Sequence, residues 1–560
     1  MMEMVMQFPC PFILIYQFSG SINSITINFN WRESTQKMKR WCATSMDIKS
    51  SCIGYVQCLA ISAILVFLSF IFQHNLSLTF SDEGFLWYGS IETLLGKVPL
   101  LDFYAYDPGR YYWTSAVMWL LGNDGIVIQR LAISLFQIIG LSLALYCIST
   151  VDMRSNSKWF IVTFSIILFF WMIPQYKIID ISLSIITYTA LLFYLNRPGS
   201  RRLFILGCVI GGVAFFGRNH GLYGFVSSIL IIFYQNLTIK NNRPLNNVLV
   251  FISGVFLGFS PIFIMMIFIP GFYHAFIDSV LLIFNQGTTN LTKTVPWPWT
   301  IPVLKGGINN YLYQFFLGTL FVLYPLYSFF TVISAIYFKI KRTPLANYLV
   351  VSGFLSLTYI HVAFSRADSY HLTQSIFPLL LGLLCFISSL KGKKAYSYVA
   401  FVFFVSIFFM YRHQPLSQCF LPNKKCTIAS VGNDDIYVQN GSVKVLNMAK
   451  YYMDKYVEAD DSILVVPAWP IIYAIWEKES PVWDTYAFFD RNQKFQEVEI
   501  NRIKVSNPRL VIINNVALDG KDKFRYSNTH NLIFNYIENN FVEVKEYPTS
   551  PDIHIYVRKN

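Results

Sequence analysis

The sequence predicts an α-helical polytopic membrane protein with a soluble α/β domain at its C-terminal end, and three observations lead to it. Only 13% of the 560 residues are charged and 18% are aromatic, against roughly 25% charged in an average soluble domain. Mean hydropathy is +0.45. Runs of about 20 apolar residues, enough to cross a hydrocarbon core of about 30 Å, recur from Ile53 to Tyr411 and then stop.

In chain order, residues 1–51 lack a charged run followed by a cleavage site, so they read as a cytoplasmic segment and not as a signal peptide or a folded domain. Met38 or Met46 is a candidate start. Spans follow near Ile53–Phe72, Gly125–Ile148, Trp159–Ile173, Ile178–Leu195, Leu203–Phe216 and Leu222–Tyr234. Five more lie near Val248–Ile269, Tyr311–Ile340, Leu345–Phe364, Leu372–Leu390 and Ala395–Tyr411, giving about 11 transmembrane helices over 52–411 by the length criterion. The fifth and sixth are short, and a re-entrant pair there leaves the topology unchanged.

Cytoplasmic loops carry the excess of Lys and Arg. Lys37, Lys39, Arg40 and Lys49 precede the first span; Arg154 with Lys158, Arg197 with Arg201 and Arg202, Lys240 with Arg243, Lys339 with Lys341 and Arg342, and Lys391 with Lys393 and Lys394 recur in alternate loops. The N-terminus is therefore expected in the cytoplasm and the tail, 412–560, outside. The net charge of +13 is accounted for by loops beside anionic lipid headgroups, so membrane lipids are the implied partner and no nucleic acid is needed. Of nine cysteines, most lie singly in apolar spans and behave as small hydrophobes. Cys419 and Cys426, just past the last span on the oxidising side, form either a local disulfide or two free thiols. No metal-ligand spacing is present.

Mapped onto this topology, the unusual ionisable residues collect on the outer side. The first external loop, 73–123, holds Asp82, Glu83, Asp102, Asp107 and Arg110 among many aromatics, and its stretches Glu83–Leu95 and Gly109–Leu121 suit short helices lying in the interface. Lys177 and Asp180 begin the fourth span. Gly217-Arg218-Asn219-His220-Gly221 breaks the turn between spans five and six, and Arg366, Asp368 and His371 occupy the turn between spans nine and ten.

An acidic pair after the first span, the aromatic Tyr88, the segment Gly96-Lys97-Val98-Pro99-Leu100-Leu101-Asp102, the Pro-containing aromatic segment Asp107–Trp113, and Arg130 in the second span together resemble the C-type (GT-C) polytopic glycosyltransferases, which include protein O-mannosyltransferases and lipid A aminoarabinose transferases. The resemblance covers the membrane part in architecture and is sharp over Asp82–Arg130. It implies a GT-C fold, a polyprenyl-phosphate-linked sugar donor, a glycan, lipid or protein acceptor, inversion at the anomeric carbon, and a prokaryotic plasma (inner) membrane. One departure stands out: where the aminoarabinose transferases carry a Lys-Pro-Pro-Leu segment facing the lipid phosphate, this chain has Asp107-Pro108-Gly109-Arg110.

Such a transfer needs a base for the incoming hydroxyl and cations for the leaving phosphate. Asp82 suits the base, and Glu83 is expected to orient the acceptor or, with Asp82, to hold a divalent cation. Arg110, Arg218 and Arg366 are candidates for the phosphate, since guanidinium groups bind phosphate oxygens bidentately, with Lys177 as an outsider. His220, Asp368, His371, Asp180 and Asp102 complete the candidate substrate-binding set. Each has a plainer reading: Asp82 and Glu83 as first-turn acids of a helix capped by Ser81, Arg218 with His220 as a solvated turn, Arg366 with Asp368 as a surface ion pair, Asp180 with Lys177 as another, and His371 as a satisfied interfacial histidine.

The tail alternates β-rich runs at Ile463–Val466, Leu510–Ile513, Phe541–Val544 and Ile553–Val557 with helical stretches near Ser442–Tyr456 and Thr529–Ile537, the pattern of a small layered domain. It is read as an acceptor-binding unit, a lid or a packing module. Pro296-Trp297-Pro298-Trp299 either covers the site or belongs to an interfacial aromatic belt. Two other classes remain open: a transporter or flippase, whose site is expected near the bilayer midplane, and a polymerase or ligase acting on lipid-linked glycans.

Overall fold

The computed structural model describes residues 54–151, 157–237, 244–302, 307–343, 345–390, 392–420 and 426–559. The segment 1–51 with its candidate starts, and the loop residues Arg154, Lys240, Arg243, Lys391 and the Lys158 side chain, lie outside the described residues.

Apolar runs in a hydrocarbon must satisfy their own backbone groups, and helices do so within one segment. The first is α1 (Tyr55–Gln73), on which Val56, Phe67 and Phe72 are exposed, an arrangement suited to lipid rather than to water. Two short helices follow, α2 (Asp82–Leu94) and α3 (Pro108–Leu121), at the predicted interfacial stretches. Pro108 supplies a pre-set φ at the first helical position, and Gly122, at φ 63°, ends α3. Next come α4 (Ile126–Ser149), α5 (Ser157–Trp171), α6 (Ile178–Asn196), α7 (Ser200–Phe216), α8 (Arg218–Asn236), α9 (Pro244–Gly258), α10 (Ser260–Phe268), α11 (Phe272–Gln286), α12 (Ile308–Ile340), α13 (Asn347–Ser365), α14 (Ser369–Ser375), α15 (Phe377–Ser389), α16 (Lys393–Met410) and α17 (Pro415–Phe420).

Every predicted span is matched by a helix or a bent pair, but among the described residues only six helices are long and apolar enough to cross a membrane, or eight if each bent pair counts as one span. The pairs are α9 with α10, bent by 52°, and α14 with α15, bent by 59°. The expected number of about eleven is not reached, for local reasons. The apolar part of α5 covers only Trp159–Trp171, α7 has 17 residues, and α8 opens on Arg218-Asn219-His220 and closes on Gln235-Asn236.

Cys419 and Cys426 are disulfide-bonded, which ties α17 to the hairpin β1 (Cys426–Val431) and β2 (Asp434–Gln439). The hairpin also pairs with the exit of α1: Ser77 N donates to Tyr437 O at 2.8 Å and Tyr437 N to Asn75 O at 2.8 Å. The tail continues as α18 (Asn440–Tyr456), β3 (Ile463–Val466), α19 (Ile471–Ile475), α20 (Gln493–Ser506), β4 (Leu510–Asn514), α21 (Tyr526–Thr529), α22 (Asn531–Asn540), β5 (Phe541–Glu543) and β6 (Ile553–Arg558). Its sheet has the order β3-β4-β6-β5, with β3 and β4 parallel and the other pairs antiparallel. The hairpin and α20 had no counterpart in the sequence reading.

The tail is not set apart from the membrane helices; all described residues belong to one compact unit. One apolar core joins Trp87, Tyr88, Met118 and Ile126 of the first loop and α4 to Ile436, Tyr452, Ile471 and Tyr473 of the tail. Gly84 permits the closest approach, because a Cβ there would lie 2.9 Å from Ile471 N. Polar seams reinforce the joint: Tyr104 N donates to Trp483 O at 2.8 Å, and Ser480 N to the Tyr88 hydroxyl at 2.9 Å.

Candidate active site

The ends of α6, α8, α13 and α14, with α11, the first loop, the loop 289–293 and a tail segment, line a cavity of about 590 Å³. Asp82, Arg110, Lys177, Asp180, Arg218, His220, Arg366, Asp368 and His371 all line it. Two other predicted residues do not. Asp102 is exposed and accepts from Val98 N at 2.7 Å, closing its own turn. Glu83 points the other way: its Oε1 lies 2.7 Å from Arg130 Nε and its Oε2 3.1 Å from Arg130 Nη2, with both side chains buried. Successive helical residues are rotated by roughly 100°, so the acidic pair is split between two environments. Glu83 therefore lies outside the cavity that holds Asp82, where the sequence expected both acids to act, and the two carboxylates do not converge on one point. Among the described residues no group of three or more His, Cys, Asp or Glu side chains has a metal-holding arrangement.

Asp82 opens α2, where acidic residues complement the helix dipole. Ser81 occupies the cap position without a side-chain capping bond, so its expected cap role is not met. Asp82 Oδ1 accepts from the Tyr486 phenol at 3.0 Å and lies 3.8 Å from Lys177 Nζ. Its side chain keeps 26% exposure, and Oδ2 makes no hydrogen bond among the described residues. Burial, and then the Asp82 carboxylate itself, push the Tyr486 phenol well above its ordinary pKa, which keeps it a proton donor. Lys177 Nζ also stands 5.1 Å from the centroid of the Tyr106 ring, a cation–π position.

The arginines are already engaged. Arg110 Nη2 bonds Asp180 Oδ1 at 2.9 Å and Phe216 O at 2.9 Å; Gly109 allows this docking, since a Cβ there would meet Phe215 O at 2.8 Å. The chain of contacts continues from Asp180 to His220 Nε2 at 3.3 Å and from His220 Nδ1 to the Tyr359 hydroxyl at 2.8 Å. Arg218 is ion-paired with Asp107, and its Nη1 donates to Ser279 Oγ at 2.7 Å. Arg366 makes a two-pronged contact with Asp519 of the tail, 2.8 and 3.0 Å, and a third with Asp368 at 3.1 Å. Asp368 caps α14 through His371 N and receives His371 Nδ1 at 2.8 Å. Burial raises the Asp368 pKa, but the bonds from His371 and the Arg366 charge outweigh it and hold the carboxyl at about 2.

Sequence reasoning missed Tyr486, Tyr104, Tyr106 and Tyr176 in the lining, and Asp519, which pairs with the lining residue Arg366. Tyr486 and Asp519 sit in irregular segments of the tail, where no periodicity marks them. Trp297 and Trp299 stack on each other with ring centroids 5.4 Å apart and do not line the cavity; nearby residues of the same loop, including Asn290, Leu291 and Lys293, do.

No family model matches the chain, and no curated protein matches its sequence. Its structure is similar to that of ArnT from Cupriavidus metallidurans bound to undecaprenyl phosphate, at TM-score 0.45 and 11% identity over 90% of this chain and 97% of that one. It is also similar to the oligosaccharyltransferase of Archaeoglobus fulgidus in its apo form, at TM-score 0.41 and 12% identity over 92% and 75%. A third is the archaeal oligosaccharyltransferase AglB of that organism in complex with an inhibitory peptide and a dolichol-phosphate, at TM-score 0.37 and 12% identity over 93% and 74%.

Proposed function

We propose that this protein is an integral membrane glycosyltransferase that moves a sugar from a polyprenyl-phosphate donor to a hydroxyl of an extracytoplasmic acceptor. The observation that carries the reading is Asp82, placed on a large polar cavity at the ends of apolar helices, with one carboxylate oxygen held and the other uncommitted. The acceptor hydroxyl sits against Asp82 Oδ2. As its oxygen bonds the anomeric carbon, its proton passes to Asp82, the carbon–oxygen bond to phosphate breaks, and polyprenyl phosphate leaves with the electron pair. Direct attack inverts the anomeric configuration.

Lys177 is the cation we assign to the departing phosphate. Its one ion pair, with Asp82 at 3.8 Å, is the longest of the set, whereas Arg110, Arg218 and Arg366 are committed to Asp180, Asp107 and Asp519. Arg218, His220, Arg366, Asp368 and His371 complete the charged lining. The tail contributes Tyr486, Phe488, Phe489 and Leu518 to the lining, which favours a role for it in covering the site and contacting the acceptor. In this reading the protein lies in the plasma membrane with the cavity on the outer face and the N-terminus in the cytoplasm. Transport is disfavoured because the charged lining comes from helix ends and loops, not from the middles of the apolar helices.

The test is mass spectrometry of lipid extracts and envelope glycans from cells carrying the wild-type protein or Asp82→Asn at matched abundance. Loss of one sugar from a glycan, with its polyprenyl-phosphate donor accumulating, is the expected result and names the sugar. Unchanged glycans and lipids would remove Asp82 as the base and the transferase reading with it.

A further inference from the structure

A second cavity, of about 220 Å³, lies on the other side of a wall formed by Tyr176 and Tyr370, which line both spaces. Its chemistry is different. Six side-chain amides border it, those of Gln73, Gln137, Gln175, Gln414, Gln418 and Gln439, and among the described residues its only carboxylate, Glu83, and only guanidinium, Arg130, are spent on each other.

Gln137 is the informative residue. It lies on α4, is 5% exposed, and makes no hydrogen bond with any described residue, although a primary amide offers two donors and an acceptor. Buried polar groups are nearly always paired, and an unpaired one calls for a partner that the chain does not supply. Its neighbours are only partly used. Gln414, 8% exposed, reaches Phe170 O at a long 3.5 Å, and Gln73 spends one donor on Ser69 Oγ at 3.1 Å. Gln439 donates to Gln418 Oε1 at 3.1 Å. The carbonyl oxygens of Gln73, Gln414 and Gln439 make no hydrogen bond among the described residues.

Amides that both donate and accept match hydroxyl groups, which do the same, and the tyrosine rings offer flat apolar faces to the C–H side of a sugar ring. Among the described lining residues there is no lysine, the one arginine is paired with Glu83, and His413 bonds the Tyr313 hydroxyl, so a phosphate or carboxylate finds no uncommitted arginine or lysine here, and a hydrocarbon tail would leave the amides unpaired. We propose that this pocket is a subsite for a neutral saccharide unit of the substrate, next to but separate from the cavity that holds Asp82. The saccharide belongs either to the acceptor glycan or to a further sugar on the lipid-linked donor. The inference rests on the glycosyltransferase reading above.

The test uses the full chain in detergent micelles and saturation-transfer NMR with glucose, galactose, mannose, rhamnose and N-acetylglucosamine as free probes, and inorganic phosphate as the control. At least one sugar is expected to receive saturation in the wild type and in Asp82→Asn and to lose it in Gln137→Leu, while phosphate behaves alike in all three. Gln137→Leu replaces an unpaired amide by an apolar group of similar size, so its melting temperature is expected at or above that of the wild type. In turnover, Gln137→Leu raises one KM about three- to tenfold, the size of one lost neutral hydrogen bond, with kcat unchanged; the KM that moves, acceptor or donor, identifies the source. If no sugar is saturated, or saturation survives in Gln137→Leu, the pocket holds only water and the proposal fails while the transferase reading stands. If saturation depends on Gln137 but neither KM moves, the assignment to substrate fails. Gln137-dependent saturation in a protein that transfers no sugar would overturn the transferase reading and leave a sugar-binding pocket.

Discussion

Asp82 and Glu83 are neighbours in the chain and occupy opposite kinds of environment. Glu83 is 6% exposed, and both its oxygens are taken by Arg130, with Thr79 N adding a third bond at 3.2 Å. Arg130 in turn binds the carbonyls of His74 and Ser77 at 2.7 and 2.6 Å, so the pair fastens α4 to the exit of α1. Asp82 is 26% exposed and has a phenol at 3.0 Å and a lysine at 3.8 Å on a single oxygen. A carboxylate has about four lone-pair sites. Glu83 has used most of them on the scaffold, and Asp82 has kept enough to meet a substrate.

The largest expected effect tests that division directly. Asp82→Asn lowers transfer by about 10² to 10⁴, the usual worth of a general base, and leaves the melting temperature in detergent unchanged. Glu83→Gln does the reverse. It strands a buried guanidinium, which costs about 3–5 kcal/mol of stability when one partner of such a pair is removed, and it shows as a lower melting temperature and poorer yield. Rates normalised to folded protein then remain near wild type. A Glu83→Gln variant that melts normally but transfers poorly would erase the distinction between the two carboxylates.

Much of the fold can be read from hydrophobic pattern alone, because the apolar runs and the β-rich runs are local. Strand β3 falls on the predicted Ile463–Val466, and the short helices α2 and α3 start within one residue of expectation. The expected span count and the six to eight candidate spans differ at α5, whose apolar part is only Trp159–Trp171, and at the 17-residue α7. The hairpin of β1 and β2 escaped notice because its strands are short and mix polar with apolar residues. At the site, the topology alone gathers Asp180, Arg218, His220, Arg366, Asp368 and His371 on one cavity. Their partners are a tertiary matter: Arg110 meets Asp180 across 70 residues, Arg366 meets Asp519 across 153, and Asp82 meets Tyr486 across 404. No spacing in the sequence encodes these choices, and they decide which cations remain for a phosphate.

Tyr486 is where the tail enters the comparison. Its ring packs against Phe85 and Phe488, with centroids 4.9 and 4.8 Å away, and only its hydroxyl reaches Asp82. Tyr486→Phe therefore removes one hydrogen bond to a charged group and little packing. Transfer is expected to fall about tenfold, with kcat taking the loss and melting unaffected. An unchanged kcat would mean that Lys177 alone holds the Asp82 carboxylate, and that the tail covers the cavity without tuning it.

A third carboxylate sharpens the contrast with the smallest effect. Glu499 on α20 is 2% exposed and accepts from Trp483 N at 2.9 Å, with Arg502 at 3.5 Å. Burial, opposed by Arg502 and reinforced by Asp484, pushes its carboxyl up to about 7. Its folded pKa exceeds the ordinary 4.5, so its contribution to stability is present below that value and is lost as pH rises through 7. His530, 1% exposed and stacked on Tyr526, runs the other way. Burial lowers it from 6.5 to about 4, so its contribution is present above 6.5 and is lost as pH falls through 4. The two slopes oppose each other over most of the interval. Wild-type melting is thus expected to vary little with pH there, to rise with pH in Glu499→Gln, and to fall with pH in His530→Gln, by a few degrees in each case. Transfer by these variants, measured at one pH and normalised to folded protein, stays near wild type, because the tail's buried acid serves the fold and Asp82 serves the reaction.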